Sequence, residues 1–432
     1  MKTFSLALLV TGIAAHSAHA YELHEWGTFT TVSGSDGVLL SGLQREEEEL
    51  PSFVHSHFGF ENGGRPDNDQ ISRMIREHGR ATFDGTKGLG SRPVAGVTVK
   101  METPVIYFHS PAAFRAKVKV GFNGGTISQW YPARSAGEVL PEPPPSPAPR
   151  TRPTPASRWL IDFSKGWQGS IEWDVDVLAP EESSRTLTFK PGDSVNWLRA
   201  RVPEANNLRV PGGEVENYLF YRGVGNFDTG LLLSASADET LHLHNTTGGH
   251  IPYLLVYDKT PQGKVRWKAF ENGLADTSTL DVPEASFTLE TGAFSLPLYE
   301  SLRQGILACG LTRAEADAMI QTWWKSYFDT PGTRVFWILP ESSTHRILPL
   351  TVTPAPDKIA RVIVGRSEIL RPREEAAWLA LSRDKKLGSQ WTQLVSTHRF
   401  GLAIEERVGR LGHPVNGTTT PAKEDTPSSA GL

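Results

Sequence analysis

Two periods organise the apolar positions of this chain. Up to about residue 290 the spacing is two-fold, as in Lys117-Val118-Lys119-Val120 and in Ile171-Glu172-Trp173-Asp174-Val175-Asp176-Val177, which alternate between apolar and charged side chains. Such alternation predicts strands with one buried and one wetted face. Pro104-Val105-Ile106-Tyr107-Phe108 is a continuous apolar run, and Glu22 to Val32 has strand-like content ended by the turn cluster Ser33-Gly34-Ser35-Asp36-Gly37. Leu231-Leu232-Leu233, Leu241-His242-Leu243-His244, Ile251 to Tyr257 and Val265-Arg266-Trp267 follow one another across short Asp/Asn/Gly/Pro turns. That spacing predicts an antiparallel meander or sandwich.

Beyond residue 290 the period becomes helical, with strands between. Thr312-Arg313-Ala314-Glu315 has the form of a capping box, and Met319, Ile320, Trp323, Trp324 and Tyr327 fall on one face of the helix it opens. Val335 to Leu339, Ile347 to Val352 and Ile359 to Val364 read as strands; Arg371-Pro372 opens another helix, and a last helical stretch runs from about Gln390 to Leu411. The expected fold is mainly β with an α+β C-terminal part: an antiparallel β-sandwich plus a smaller helical and strand unit. The divisions expected are a signal peptide at 1–20, a segment at 21–94 packing on the β domain, the sandwich at 95–290, the α+β region at 291–412 and a flexible tail at 413–432. A Pro-rich insertion at 140–157 reads as an exposed polyproline stretch within the sandwich.

Composition narrows the compartment more than the chemistry. Of 432 residues 38% are hydrophobic and 21% charged, which excludes global disorder, and a formal charge of −4 leaves no basic excess for phosphate backbones. Nucleic acid is therefore not an expected partner. Lys2, the apolar run Phe4 to Ala15 and Ala18-His19-Ala20 have the form of a cleaved secretory signal, and no later stretch is apolar enough to span a membrane. Cys309 is the only cysteine, so an intramolecular disulfide is excluded; it reads as a small buried hydrophobe. These features place the chain in the periplasm or outside the cell. Arg45-Glu46-Glu47-Glu48-Glu49 reads as a solvated charge run, and Asp67-Asn68-Asp69 as caps of a short helix through Ile71, Met74 and Ile75.

Motifs with fixed chemistry are few. His24-Glu25 lacks the second histidine of a zinc-protease helix, Thr28 standing in its place, and no Gly-x-Ser-x-Gly elbow or phosphate-binding loop occurs. What remains are two His-x-His pairs, His55 with His57 and His242 with His244. At strand spacing the members of each pair project from one face about 7 Å apart at the backbone, close enough to share a metal. With His24, and Glu25 as ligand or general base, they form a candidate zinc, copper or iron site; an exposed strand face accepts the same histidines without a metal. Glu102, Glu214 and Glu216 near aromatic residues are candidates for sugar chemistry. Tyr221, Arg222 and Trp26 are candidate ligand-binding residues, the arginine as a clamp for an anionic group of a small molecule or glycan. Asn245-Thr246-Thr247 matches a glycosylation acceptor.

The blocks His24-Glu25-Trp26-Gly27-Thr28-Phe29-Thr30, Met101 to Phe108, Tyr221 to Gly225 and Ile347-Leu348-Pro349-Leu350 together resemble a group of secreted bacterial proteins of unassigned function. The resemblance spans most of the chain and implies export, but no activity and no catalytic residue. The expected function is accordingly a ligand-binding or structural module outside the cytoplasm. The alternative is a metal-dependent hydrolase or oxidoreductase built on the His-x-His pairs.

Overall fold

The computed structural model describes residues 20–48, 50–57, 87–89, 94–140, 161–186, 195–290 and 295–412. The expected leader, the 67–75 helix, most of the Pro-rich insertion and the tail lie outside the described residues.

Strands from the beginning, middle and end of the chain meet in one ten-stranded sheet. Its centre is made by β1 (Glu22–Ser33), β2 (Val99–His109), β3 (Leu219–Gly225), β4 (Gly332–Ile338) and β5 (Lys358–Ile369), arranged in space as β4-β5-β1-β2-β3. Leu254–Lys259, Val265–Phe270 and Thr288–Glu290 extend it beyond β4, and Gly125–Tyr131 and His55–Ser56 beyond β3. β1 runs parallel to β5 over its whole length, Glu22 opposite Lys358 and Ser33 opposite Ile369, and antiparallel to β2. The other neighbours in this sheet are antiparallel.

β1 is buried on both faces, which is why it has no polar-apolar alternation to read. Leu23 and Phe29 enter a core shared with the second sheet, where Phe114–Asn123 pairs with Gln168–Val177 and Leu350–Thr353. Val118, Val120, Ile171 and Trp173 supply that sheet's apolar face, while Arg115, Lys117 and Lys119 pair with Asp176, Asp174 and Glu172 on its wet face. Trp26 enters the other core, beneath α1 (Val195–Ala200), α2 (Leu296–Ala308) and α3 (Arg313–Phe328), with Val105, Tyr107, Phe336 and Val362. A third core gathers Val32, Leu40, Leu43 and Leu370 against Phe400, which lies between the last two helices, and Ala403 and Ile404 of the final one.

The protein is thus mainly β, and most pairings are antiparallel. Residues 95–290 do not form a sheet of their own, because β1 completes the centre between β2 and β5 and the sheets do not close on each other. The boundaries near 94 and 290 therefore fall inside one hydrogen-bonded sheet. α3 opens with the expected capping box, the Thr312 hydroxyl accepting from Glu315 N and the Glu315 carboxylate accepting from Thr312 N. The last helical stretch is two helices, Gly388–Thr397 and Gly401–Gly412, separated at His398–Phe400. No helix among the described residues is long and apolar enough to cross a membrane.

A register shift in β2 decides what the α3 face of the sheet displays. Pairing with β1 slips between Trp26 and Thr28, where Thr103 has φ 51° and Gly27 packs so tightly on Pro104 that a Cβ would lie 2.8 Å from Pro104 Cα. A β-branched residue rarely adopts positive φ, so the bulge is a costly local conformation held by its surroundings. One extra residue reverses the alternation. Lys100 and Glu102 on one side of the bulge consequently share a face with Val105, Tyr107 and His109 on the other.

Asn245 is buried, and its amide donates to the carbonyls of Gly249, Leu274 and Ala275 at 2.8, 3.0 and 3.1 Å. It serves as a loop clamp and is closed to a glycan. Asn245→Ala should cost about 2–3 kcal/mol, the desolvation of acceptors left without donors, visible as a lower urea midpoint.

Candidate metal centre

His24 on β1, His109 at the end of β2 and Glu315 in the first turn of α3 converge on the α3 face of the sheet. One donor atom from each lies within 4.8 Å of the other two. His24 Nδ1 is 3.0 and 2.9 Å from the two Glu315 oxygens, and His109 Nε2 is 2.9 Å from Oε1. The imidazole centroids are 4.6 Å apart. His24 and Glu315 are buried, whereas the His109 side chain is 22% exposed, so one side of the group reaches solvent. Burial alone would raise the Glu315 pKa; hydrogen bonds from His109 and then His24, with the Thr312 amide, hold it well below the usual carboxylate range.

Two imidazoles and an ionised carboxylate form a donor set suited to zinc, copper or iron. Metal–ligand bonds of about 2.1 Å place neighbouring donors about 3.0 Å apart at a right angle and about 3.4 Å apart at the tetrahedral angle. The observed imidazole–carboxylate separations of 2.9–3.0 Å are hydrogen-bond lengths and lie close to the first of these spacings. One outer contact that orients a metal ligand is present as well: Glu315 Oε2 accepts from Thr312 N at 2.7 Å.

Of the histidines named by the sequence, His24 alone joins this group. His55 donates to Glu214 at 3.0 Å and His57 to the Ile127 carbonyl at 2.9 Å, both at the opposite edge of the sheet from β4. His242 bonds Asp281 at 2.7 Å and Ser236 at 3.0 Å on a separate three-stranded sheet, which also carries His244. His55, His57 and His242 therefore have protein partners in different places, and among the described residues no group of three potential ligands contains either pair. Period-two spacing shows which side chains share a face of one strand; it says nothing of what faces them.

Glu25 lies on the other face of β1. It is fully buried, accepting from Tyr221 Oη at 2.5 Å and from Arg361 Nε at 2.5 Å, so the carboxylate is an interior counter-ion separate from the histidine group. The neighbouring carboxylate raises the Tyr221 pKa after burial has done so, well above the ordinary phenol range. Arg222 is buried between Gln129, Glu46 and Glu102, and Trp26 is buried against Tyr107. The three carboxylates considered for sugar chemistry have separate partners: Glu102 with Lys87, Glu214 with His55, Glu216 with Arg201.

His109 and the ligand role of Glu315 were not read from sequence. His109 directly follows the apolar strand Val105 to Phe108, a position where a histidine is carried to the rim of a buried sheet. Glu315 was accounted for by its cap. The run at 45–49 also differs from its expected solvated state: Glu47 is nearly buried among Lys100, Arg366 and Arg399. The sheet supplies the buried cations that draw it in.

No protein-family model and no curated protein matches this chain.

Proposed function

We propose that this is an exported protein that binds a divalent transition metal, zinc or copper, through His24, His109 and Glu315. The observation that carries this reading is the convergence of three donors within 4.8 Å, drawn from two strands and a helix start far apart in sequence. The leader-like residues 1–20 support export to the periplasm or beyond. The open two-sheet sandwich we assign to the fold, supported by the core common to both sheets, is the rigid frame on which such a site keeps its geometry.

A metal-dependent enzyme is the second reading, favoured by the partial exposure of His109. Three protein donors leave a position for water on the solvent side, the arrangement of catalytic rather than structural zinc sites. Purified protein loaded with zinc or copper and dialysed should retain about one equivalent by elemental analysis. His24→Ala and His109→Ala should each reduce that to background, while the double variant His242→Ala/His244→Ala should leave it unchanged. Equal metal content in all four proteins, or none in the wild type, would refute the site.

A further inference from the structure

Along the α3 face of the sheet, beyond the histidine group, lies a second concentration of chemistry. Lys100 and Glu102 on β2, Arg222 on β3, Arg334 on β4, and Arg366 and Glu368 on β5 all have buried side chains there. Over them lie Glu46 and Glu47, with Lys87 and Arg399 at the sides. Lys87 pairs with Glu102 at 2.5 Å, Arg222 with Glu46 at 3.0 Å and Glu102 at 3.7 Å, and Arg366 with Glu47 at 2.5 Å and Glu368 at 3.5 Å. Lys100 pairs with Glu47, Arg399 with Glu47 and Glu368, and Arg334 with Glu368.

Among the described residues, six cations of this network meet four carboxylates. Glu48 lies beside the network, bonded by Asn196, and burial, then the neighbouring Glu102 and Glu47, raise its pKa; even when charged it leaves the cations in excess. Buried charge without full compensation is expensive, and a purely structural core would be more stable with apolar residues at these positions. Donors outnumber acceptors among the groups left over: Arg222 Nη2, Arg334 Nε and Arg366 Nε are buried and have ion-pair neighbours but no aligned hydrogen-bond acceptor, against one carboxylate oxygen of the network, Glu102 Oε1, without a donor. Burial pushes the Lys87 amine down to about 8, as expected where ammonium groups crowd together. The two carboxylates that come from outside the sheet, Glu46 and Glu47, belong to a segment with neither strand nor helix, and Glu46 is the network's outlet to solvent at 28% exposure.

We infer that this basic face is a binding site for an oxyanion, a carboxylate or phosphate group of a ligand, and that Glu46 fills the arginine end of the site when no ligand is bound. A bidentate guanidinium is suited to such a group, and Glu46 is the carboxylate that can leave at least cost, since Arg222 retains Glu102 and Gln129. The inference is independent of the metal site.

The test is calorimetric titration of the folded full-length protein, stripped of metal with a chelator that is then dialysed away, with inorganic phosphate and separately with acetate. Saturable binding of one anion identifies the headgroup. Glu46→Gln removes the internal competitor and should tighten binding at least about fivefold, whereas Arg222→Gln should weaken it at least about tenfold. A gain of affinity in Glu46→Gln cannot come from misfolding, so it keeps the inference testable if Arg222→Gln fails to fold. Absence of saturable binding to both wild type and Glu46→Gln up to about 10 mM anion, or equal affinity in wild type and Glu46→Gln, would overturn it.

Discussion

Glu25→Ala should lower the unfolding free energy by about 3–5 kcal/mol, a large fraction of what holds a typical domain together. The change leaves the Arg361 guanidinium, which is nearly inaccessible, facing an empty site in the core, and removes the acceptor of the Tyr221 hydroxyl. The expected result is a markedly lower urea midpoint by tryptophan fluorescence. The cost belongs to the stranded charge, so the double variant Glu25→Leu/Arg361→Leu should be less destabilised than Glu25→Ala. Equal or greater loss in the double variant would show that the pair contributes net stability of its own. Neither variant should alter metal content, because Glu25 lies on the opposite face of β1 from His24.

Glu47→Ala should be comparably damaging, by about 3–5 kcal/mol, because one carboxylate is shared by three buried cations. It also carries a pH signature. Burial by itself would raise the Glu47 pKa, but Arg366, then Lys100 and Arg399, hold it well below the ordinary 4.5, and Glu102 is lowered by Lys87, Lys100 and Arg222 against the same burial. A carboxyl group whose folded pKa is depressed contributes stability that is fully present above its unfolded value and disappears as pH falls through the folded value. The wild type should therefore lose stability steeply below about pH 4.5, and Glu47→Ala should show a shallower loss over the same range. Parallel pH profiles for the two proteins would contradict this account. Added phosphate should restore part of the stability lost in Glu47→Ala, as binding to the folded state alone requires.

The legible parts of the fold were those governed by local periodicity. The two strands that alternate apolar and charged residues, Lys117–Val120 and Ile171–Val177, lie at the protein surface where one face meets water, and their pairing follows. α3 was visible through its cap and through Met319, Ile320, Trp323 and Tyr327, which are buried as expected. β1 was visible as a strand but not as the middle of a sheet, since strands covered on both faces lose the alternation that reports orientation. The candidate sites were less legible for a related reason. His109 and His24 are 85 positions apart in number, and their meeting depends on the antiparallel register of β1 with β2, which sets Glu22 opposite His109 and His24 opposite Tyr107 and which no local spacing reports. Glu47 departs from the rule that a run of acids seeks water, because Lys100, Arg366 and Arg399 provide a better partner than solvent.

The parallel pairing of β1 with β5 joins residues 336 positions apart. β1 therefore cannot gain its second neighbour until the 336 positions that separate it from β5 have been synthesised, and a strand made early is sealed late. Contacts of such long sequence separation slow folding and prolong the exposure of strand edges to other chains. A nascent chain interrupted before β5 would present β1 with one open edge, a natural target for holding factors and for proteolytic quality control.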